Sequence, residues 1–415
     1  MGVSSLARLF LRMGKKVTGS DLAASAVTED LAQQGAVISI GANTVAGQPD
    51  LVVYSSAIPA EALAGITIPK LSQSQTLGEL MRGHYGIAVT GTNGKSTTTA
   101  MLGLILERAN QDCTVLLGAE LSERNESAEF RRNVRWGRGK FFLTESDEYR
   151  RKMLDNHPAM IVLTNVAEDH LDYYRDLAEI KSAFAQYIHE LPADGIVIYN
   201  ADDRNSVDIG RLAHCHKFTF GIHHYADLQA INVTAKNGRQ TFDVHLNDQK
   251  IGTLDLGVPG LFNAANALAA ALAALKLGVD FAVIQSALAD YTGLRRRFEV
   301  VGQFSGRTVI SDYAHHPAGI AATLSAAREF FPGQKILTVF QPHQRHRTRA
   351  LMGELAEALA AAPGEIVIPE VFDVAGREQG VVVSSRELAE QVNGLGGQAL
   401  FAPDLAGAET LIRAK

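Results

Sequence analysis

A short apolar strand that stops at a glycine-rich bend and restarts at once as a helix constrains this chain more than any other feature. It reads Ile87-Ala88-Val89-Thr90-Gly91-Thr92-Asn93-Gly94-Lys95-Ser96-Thr97-Thr98-Thr99, and the pattern predicts a helix from Thr97 to Glu107. Gly91 and Gly94 let backbone N–H groups converge on phosphate oxygens, and the helix N-terminus adds partial positive charge. Lys95 is then placed to bridge the outer phosphates of a nucleotide, and the Ser96 hydroxyl to ligate Mg²⁺. The spacing departs from the commonest phosphate loop, because Val89 stands five places before Gly94, where that pattern has glycine.

Around this bend, short apolar runs alternate with amphipathic helical stretches, which predicts an α/β fold of stacked βαβ units. Val17 to Asp21, Leu51 to Ser55, Ile87 to Thr90, Phe141 to Glu145, Met160 to Asn165 and Ile196 to Asn200 read as buried parallel strands. From Ala226 to Leu256 the chain instead alternates polar and apolar residues, with turns at Asn237-Gly238 and Asn247-Asp248, so an antiparallel edge is expected. A single core rarely grows past ~250–300 residues, so 415 residues imply several domains. The divisions expected are 1–82, 83–297 and 298–415. The start, Met1-Gly2-Val3-Ser4-Ser5-Leu6-Ala7, looks like the second half of a strand-to-helix glycine turn. The expectation is a first domain whose leading strand is missing from this sequence.

Composition narrows the classes. With 39 Lys+Arg against 45 Asp+Glu, the net charge is −6, which argues against a general nucleic-acid or anionic-membrane binder. No apolar run reaches the ~20 residues of a spanning helix. Two distant cysteines, Cys113 and Cys215, exclude a disulfide scaffold. A cytoplasmic protein, monomeric or homodimeric, is expected.

Ligands of such sheets bind at the carboxyl ends of strands. There, Thr144-Glu145-Ser146-Asp147-Glu148 offers hard oxygen ligands for a nucleotide-bound Mg²⁺, and Asn165-Val166-Ala167-Glu168-Asp169-His170-Leu171-Asp172 offers a second polar cluster. Arg295, Arg296 and Arg297 suit an anionic ligand. Asp312 to Pro317 and Phe340 to Arg349 crowd polar groups at what read as two strand exits of one sheet. His315 and His316 lack a third ligand at zinc spacing.

Taken in order, TGTNGKSTTT, TESDE, NVAEDHLDYY, PGLFNAANALAA, GLRRRFE, SDYAHHP and FQPHQRHRTR resemble the Mur ligase family over nearly the whole chain, and most its alanine-adding branch. The resemblance implies a Rossmann-like UDP-substrate domain, a central ATPase and a C-terminal Rossmann-like domain. It implies a peptidoglycan-precursor reaction that joins L-alanine to the lactyl carboxylate of UDP-N-acetylmuramate through an acyl phosphate, with ATP and Mg²⁺. The loop from Gly91 to Thr97 would hold ATP, with Lys95, His170, Glu145 and Asn165 as the catalytic group and Ser96, Glu145 and His170 as metal ligands. Asn263 and Asn266 fall on the adenine stretch, and Arg297 and Asp312 on residues that contact the nucleotide. His343 and Arg347 match the amino-acid end, and Gly2, Ser20, Asp21, Ser55 and Ser56 the UDP pocket. The chain departs from the family at Phe262, Ala167 and Gln344, and it has Ala185 near the carbamylated lysine of some sister ligases. Substrate and ATP halves on different blocks predict domain closure. Two alternatives stand beside this reading: a sister ligase attaching a whole tripeptide in peptidoglycan recycling, and a catalytically impaired nucleotide-binding paralogue.

Overall fold

The computed structural model describes residues 2–41, 44–170, 173–236, 238–304, 306–373 and 383–415. Asn237 of the first expected turn and Leu171 and Asp172 of the second polar cluster lie outside them. Two compact units divide the chain. One comprises Met1–Thr234, Thr241–Gly257 and Leu261–Arg295; the other carries Arg296–Lys415 with the short pieces Ala235–Gln240 and Val258–Gly260.

The first unit opens with a helix, Gly2–Arg12, followed by β1 (Thr18–Asp21), β2 (Val37–Ile40), β3 (Val52–Tyr54) and β4 (Lys70–Ser72). These form two separate parallel pairs, β1–β2 and β3–β4. Their residues are half-buried or exposed, which corrects the expectation that β1 and β3 are buried strands. A two-stranded pair covered on one face cannot enclose its side chains as a wide sheet does.

The strands that follow are β5 (Tyr85–Thr90), β6 (Thr114–Leu116), β7 (Phe130–Arg131), β8 (Val134–Arg135), β9 (Phe141–Glu145), β10 (Met160–Leu163), β11 (Ile196–Asn200), β12 (His216–Gly221), β13 (Leu228–Lys236), β14 (Arg239–Leu246) and β15 (Gln249–Leu256). All belong to one sheet of order β15-β14-β13-β12-β11-β10-β5-β9-β6-β8-β7. β5 lies between β10 and β9, parallel to both. The bend after Thr90 is therefore flanked by the exits of β9 and β10, the two places where the sequence puts its acids and His170. The ribbon β13–β15 forms the edge, and its short connections require antiparallel neighbours.

Two of the hydrophobic clusters among the described residues hold the site's surroundings. Ile161, Leu163, Val197 and the helix Leu177–His189 close one face of the sheet through Phe184, Tyr187 and Ile188. The second core joins the N-terminal block to the sheet: Leu6, Leu9, Leu77 and Met81 pack with Leu116, Val134 and Phe142. Each such side chain contributes ~1.5–3 kcal/mol on burial. Arg8 reinforces the junction by donating to Asn133 Oδ1 at 2.9 Å while pairing with Asp30 at 2.9 Å.

In the second unit β16 (Glu299–Phe304) and β17 (Arg307–Ser311) make an antiparallel hairpin. A separate parallel sheet contains β18 (Thr338–Val339), β19 (Glu365–Pro369) and β20 (Gln398–Ala402). His315 and His316 thus follow a hairpin strand, whereas His343 follows β18. This corrects the reading of one shared sheet: β17 pairs with the strand just before it, a local contact that the apolar pattern of VIS does not distinguish from sheet insertion.

Candidate active site

The phosphate bend is built from backbone constraints. Gly91 has φ +130°, and a Cβ there would sit 2.3 Å from Thr164 Oγ1; Gly94 has φ +85°, and its Cβ would sit 2.4 Å from Asn266 Oδ1. Only glycine meets both conditions without strain. The exit of β10 clamps the bend. Asn93 N–H donates to Asn165 Oδ1 at 3.0 Å, and Asn165 Nδ2 donates to Asn93 O at 2.9 Å. Thr164 Oγ1 donates to Asn93 O, and Ala167 N–H donates to Thr92 Oγ1. Behind the bend the helix is Lys95–Arg108, with Gly94 at its N-cap and no side chain capping its first amides. Those amides and the helix dipole form an anion site. The helix starts two residues before the expected Thr97, because a helix opening on Gly94 includes Lys95 and Ser96 in its first turn.

Lys95 Nζ meets Glu148 at 2.8 Å, with the Glu148 side chain 3% exposed. It also donates to Gly91 O and Thr92 O. Burial opposes the Lys95 charge, but the carboxylates of Glu148, Asp147 and Glu145 outweigh it and hold the ammonium above its ordinary pKa. Burial pushes the Glu148 carboxyl up, with Lys95 pulling the other way. Beside this pair, Ser96 Oγ donates to Glu145 Oε2 at 2.9 Å, and Gly118 N–H donates to Glu145 Oε1. His170 adopts a left-handed turn at φ 55° that brings Nε2 3.7 Å from Glu148 Oε1, and its ring packs on Tyr149 at 4.7 Å. Ligand atoms of Asp147, Glu148 and His170 lie within 4.8 Å of one another, the one such metal-competent group among the described residues.

A cavity of about 370 Å³ opens onto this cluster. Gly2, Ser55 and Ser56 line it from the N-terminal block, and Lys95, Glu145 and Asp147 from the central sheet. It exists because the Leu6–Met81 core seats the first helix against the exits of β6 and β9.

Three family descriptions match successive stretches of the chain. The Mur ligase family catalytic domain covers residues 1–85, the Mur ligase middle domain 89–274 and the Mur ligase glutamate ligase domain 296–414. A curated UDP-N-acetylmuramate–L-alanine ligase of Clostridium novyi is 39% identical over 93% of this chain and 84% of its own length. The chain belongs to the Mur ligase family. A second curated protein of that name, from Sulfurihydrogenibium, is 37% identical over 99% of this chain and 89% of its own. Among solved structures, the UDP-N-acetylmuramate–alanine ligase of Thermotoga maritima superposes with a TM-score of 0.80 at 28% identity, covering 97% of this chain and 88% of that one. A murein peptide ligase of Psychrobacter arcticus reaches 0.70 at 26% identity, over 96% and 88%. The α/β architecture read from the sequence is thus that of a Mur ligase.

In this Mur ligase the structure gathers some sequence-selected residues and separates others. Ser96 adjoins Glu145, whereas His170 adjoins Glu148 and Asp147. Asn165 holds the bend rather than facing the cavity. Asn266 accepts from Thr98 Oγ1 at 3.2 Å and donates toward Asn263, so both lie buried behind the bend. Ser55 and Ser56 line the cavity; Ser20, which accepts from Thr44 N–H, and Asp21 do not. In the second unit both Asp312 oxygens are occupied by Phe298 N–H and Ala314 N–H, which shapes the turn around Arg297, an exposed side chain over Tyr313. His343 stacks on Phe372, and Arg347 has no ion pair among the described residues. Sequence reasoning missed Glu148 as the partner of Lys95 and Gln73 and Lys152 as cavity residues. Glu148 was visible as the last acid of TESDE; the other two carry no local signal.

The donor set fits a hard divalent cation: carboxylates, a hydroxyl and one imidazole, with Glu148 buried and Asp147 open to solvent.

Proposed function

We propose that this chain ligates L-alanine to the lactyl carboxylate of UDP-N-acetylmuramate, with ATP going to ADP and phosphate, in cytoplasmic peptidoglycan-precursor synthesis. The observation that carries the reading is the shared cavity, in which the first helix and the Ser55-Ser56 tip face the phosphate-loop lysine. One bound molecule can there present a nucleotide-sugar end to the N-terminal block and a carboxylate to the γ-phosphate held at Lys95. The curated relatives' names support the alanine branch. The domains proposed are 1–82, 83–297 and 298–415, which the three family stretches support. Two buried free thiols support a reducing compartment.

The chemistry joins two anions, so the site must supply positive charge. Lys95 holds the γ-phosphate, and the first amides of the helix Lys95–Arg108 take the neighbouring phosphate oxygens. Ser96, Glu145, Glu148, Asp147 and His170 would hold Mg²⁺, which supplies charge neutralisation at the phosphates. The carboxylate oxygen attacks the γ-phosphorus, ADP leaves, and an acyl phosphate forms. The alanine amine then attacks the acyl carbon, and phosphate leaves from the tetrahedral intermediate. Arg347 and His343 are proposed to hold the alanine carboxylate, and Arg297 and Asp312 to serve the nucleotide.

Phosphate release is the test. Release with UDP-N-acetylmuramate, ATP and L-alanine is expected; release only with a tripeptide would assign the recycling reaction instead, and no release with either would indicate an impaired paralogue.

A further inference from the structure

We propose that Lys152 is the residue that positions the lactyl carboxylate of the sugar substrate. The inference rests on the ligase reading above and adds to it the cation that receives the reacting anion.

Lys95 and Lys152 are the only cationic side chains lining the cavity among the described residues. Their situations differ. Lys95 Nζ is surrounded by Gly91 O, Thr92 O and Glu148, at the phosphate bend itself. Among the described residues Lys152 Nζ has a single ion pair, with Asp147 at 3.0 Å, and its side chain is 21% exposed and lines the cavity. An ammonium carries three donors, so Lys152 retains donors for an incoming carboxylate. Glu145, Asp147 and Glu148 make the surrounding wall acidic. A carboxylate arriving beside them and beside a triphosphate meets repulsion that Lys95, engaged at the phosphates, does not offset.

The backbone aims Lys152 at this place. Arg150 and Arg151, immediately before it, both take left-handed conformations at φ 55° and 56°. Side-chain-bearing residues seldom do so, and two in succession reverse the chain. Arg151 N–H donates to Glu148 O at 2.9 Å, and Arg151 pairs with Glu179 at 3.6 Å on the far side. Met153, the next residue, is fully buried and its N–H donates to Asp147 O at 2.9 Å. Lys152 is thus pinned between an anchored Met153 and a strained turn. Its Nζ lies over the Tyr149 ring, 5.2 Å from the centroid. That ring also packs on His170, so the lysine, the aromatic ring and the metal-competent cluster form one wall.

The test compares Lys152→Met and Lys152→Arg with wild type. Methionine keeps the apolar stem, so the turn is retained. Binding of UDP-N-acetylmuramate and of UDP-N-acetylglucosamine, which lacks the lactyl group, is measured by calorimetry. Lys152→Met is expected to weaken the first by roughly 10- to 100-fold, the range for one lost charged hydrogen bond, and to leave the second within twofold. In turnover, KM for the sugar substrate rises by the same factor and KM for ATP stays within twofold. Lys152→Arg restores most of the loss. Equal weakening of both sugars, or no rise in KM, would overturn the assignment and leave Lys152 as a support for Asp147. Wild-type protein that released no phosphate with UDP-N-acetylmuramate and alanine would overturn the ligase reading by itself, and the two-sugar binding comparison would still decide the role of Lys152.

Discussion

Replacing Lys95 by methionine separates its structural task from its chemical one. Both Glu148 oxygens lie on Lys95 Nζ, at 2.8 and 3.1 Å, and the acid is almost sealed from water. Breaking such a pair from one side costs ~3–5 kcal/mol when the remaining charge stays buried. The abandoned carboxyl has an escape, because it can take a proton. From its ordinary pKa of 4.5, protonation costs about 3.4 kcal/mol at pH 7 and about 1.4 kcal/mol at pH 5.5, at about 1.36 kcal/mol per pH unit. Lys95→Met is therefore expected to destabilise by about 3 kcal/mol at pH 7, and by about 2 kcal/mol less at pH 5.5. Adding Glu148→Gln removes the titrating group, so most of the stability returns and the pH dependence of the difference disappears. Turnover does not return: both variants lose at least roughly 100-fold, since the transferring phosphate lacks its ammonium. Urea denaturation at the two pH values, followed by the single tryptophan, Trp136, beside the core of the first unit, reads the stability. Phosphate release reads the chemistry. Equal destabilisation at both pH values, or recovery of turnover in the double variant, would refute the reasoning.

Three shorter predictions concern the same unit. Gly94→Ala places a Cβ 2.4 Å from Asn266 Oδ1 at a φ of +85°, which should weaken binding of a non-hydrolysable ATP analogue by roughly tenfold or more; calorimetry within twofold of wild type would contradict this. Burial pushes the Cys113 thiol up to about 12 and also raises Cys215. Neither of the two cysteines should react with an aromatic disulfide reagent in the folded protein at about pH 8, and both should react after denaturation; fast labelling of the native state would count against the packing described. Burial raises the Asp202 carboxyl, but the N–H groups of Ile222, His223 and His224 outweigh it and hold the pKa below 3.8. A depressed folded value means that this stabilisation is complete above the unfolded pKa and is lost as pH falls through the folded one. Asp202→Asn should cost ~1–3 kcal/mol at neutral pH and flatten the acid limb of a stability–pH profile; an unchanged limb would show that Asp202 does not contribute to it.

Legibility in the sequence tracked how local the cause was. The phosphate bend was readable because Gly91 and Gly94 state their own backbone requirement. The antiparallel edge was readable because period-two alternation and two-residue turns act over a few residues. In the small N-terminal pairs, β1 and β3 looked like buried strands, since an apolar run does not reveal how many neighbours will cover it. The separation of the His315 and His343 segments was hidden for a related reason: β17 pairs with β16, and pairing choice is a property of the whole unit.

By itself, the chain's residue order determined a nucleotide-binding α/β ligase, through a bend whose glycines dictate backbone geometry and through motifs that follow strand after strand. Only the tertiary structure decided which acid meets which partner. Past the end of β9, Glu145 and Asp147 line the cavity while Glu148 turns under Lys95, with its carboxylate still within 4.8 Å of Asp147 and His170. The same holds for Lys152, a residue with no motif of its own. Two left-handed neighbours and one buried methionine turn it to the cavity wall, and long-range packing sets those constraints.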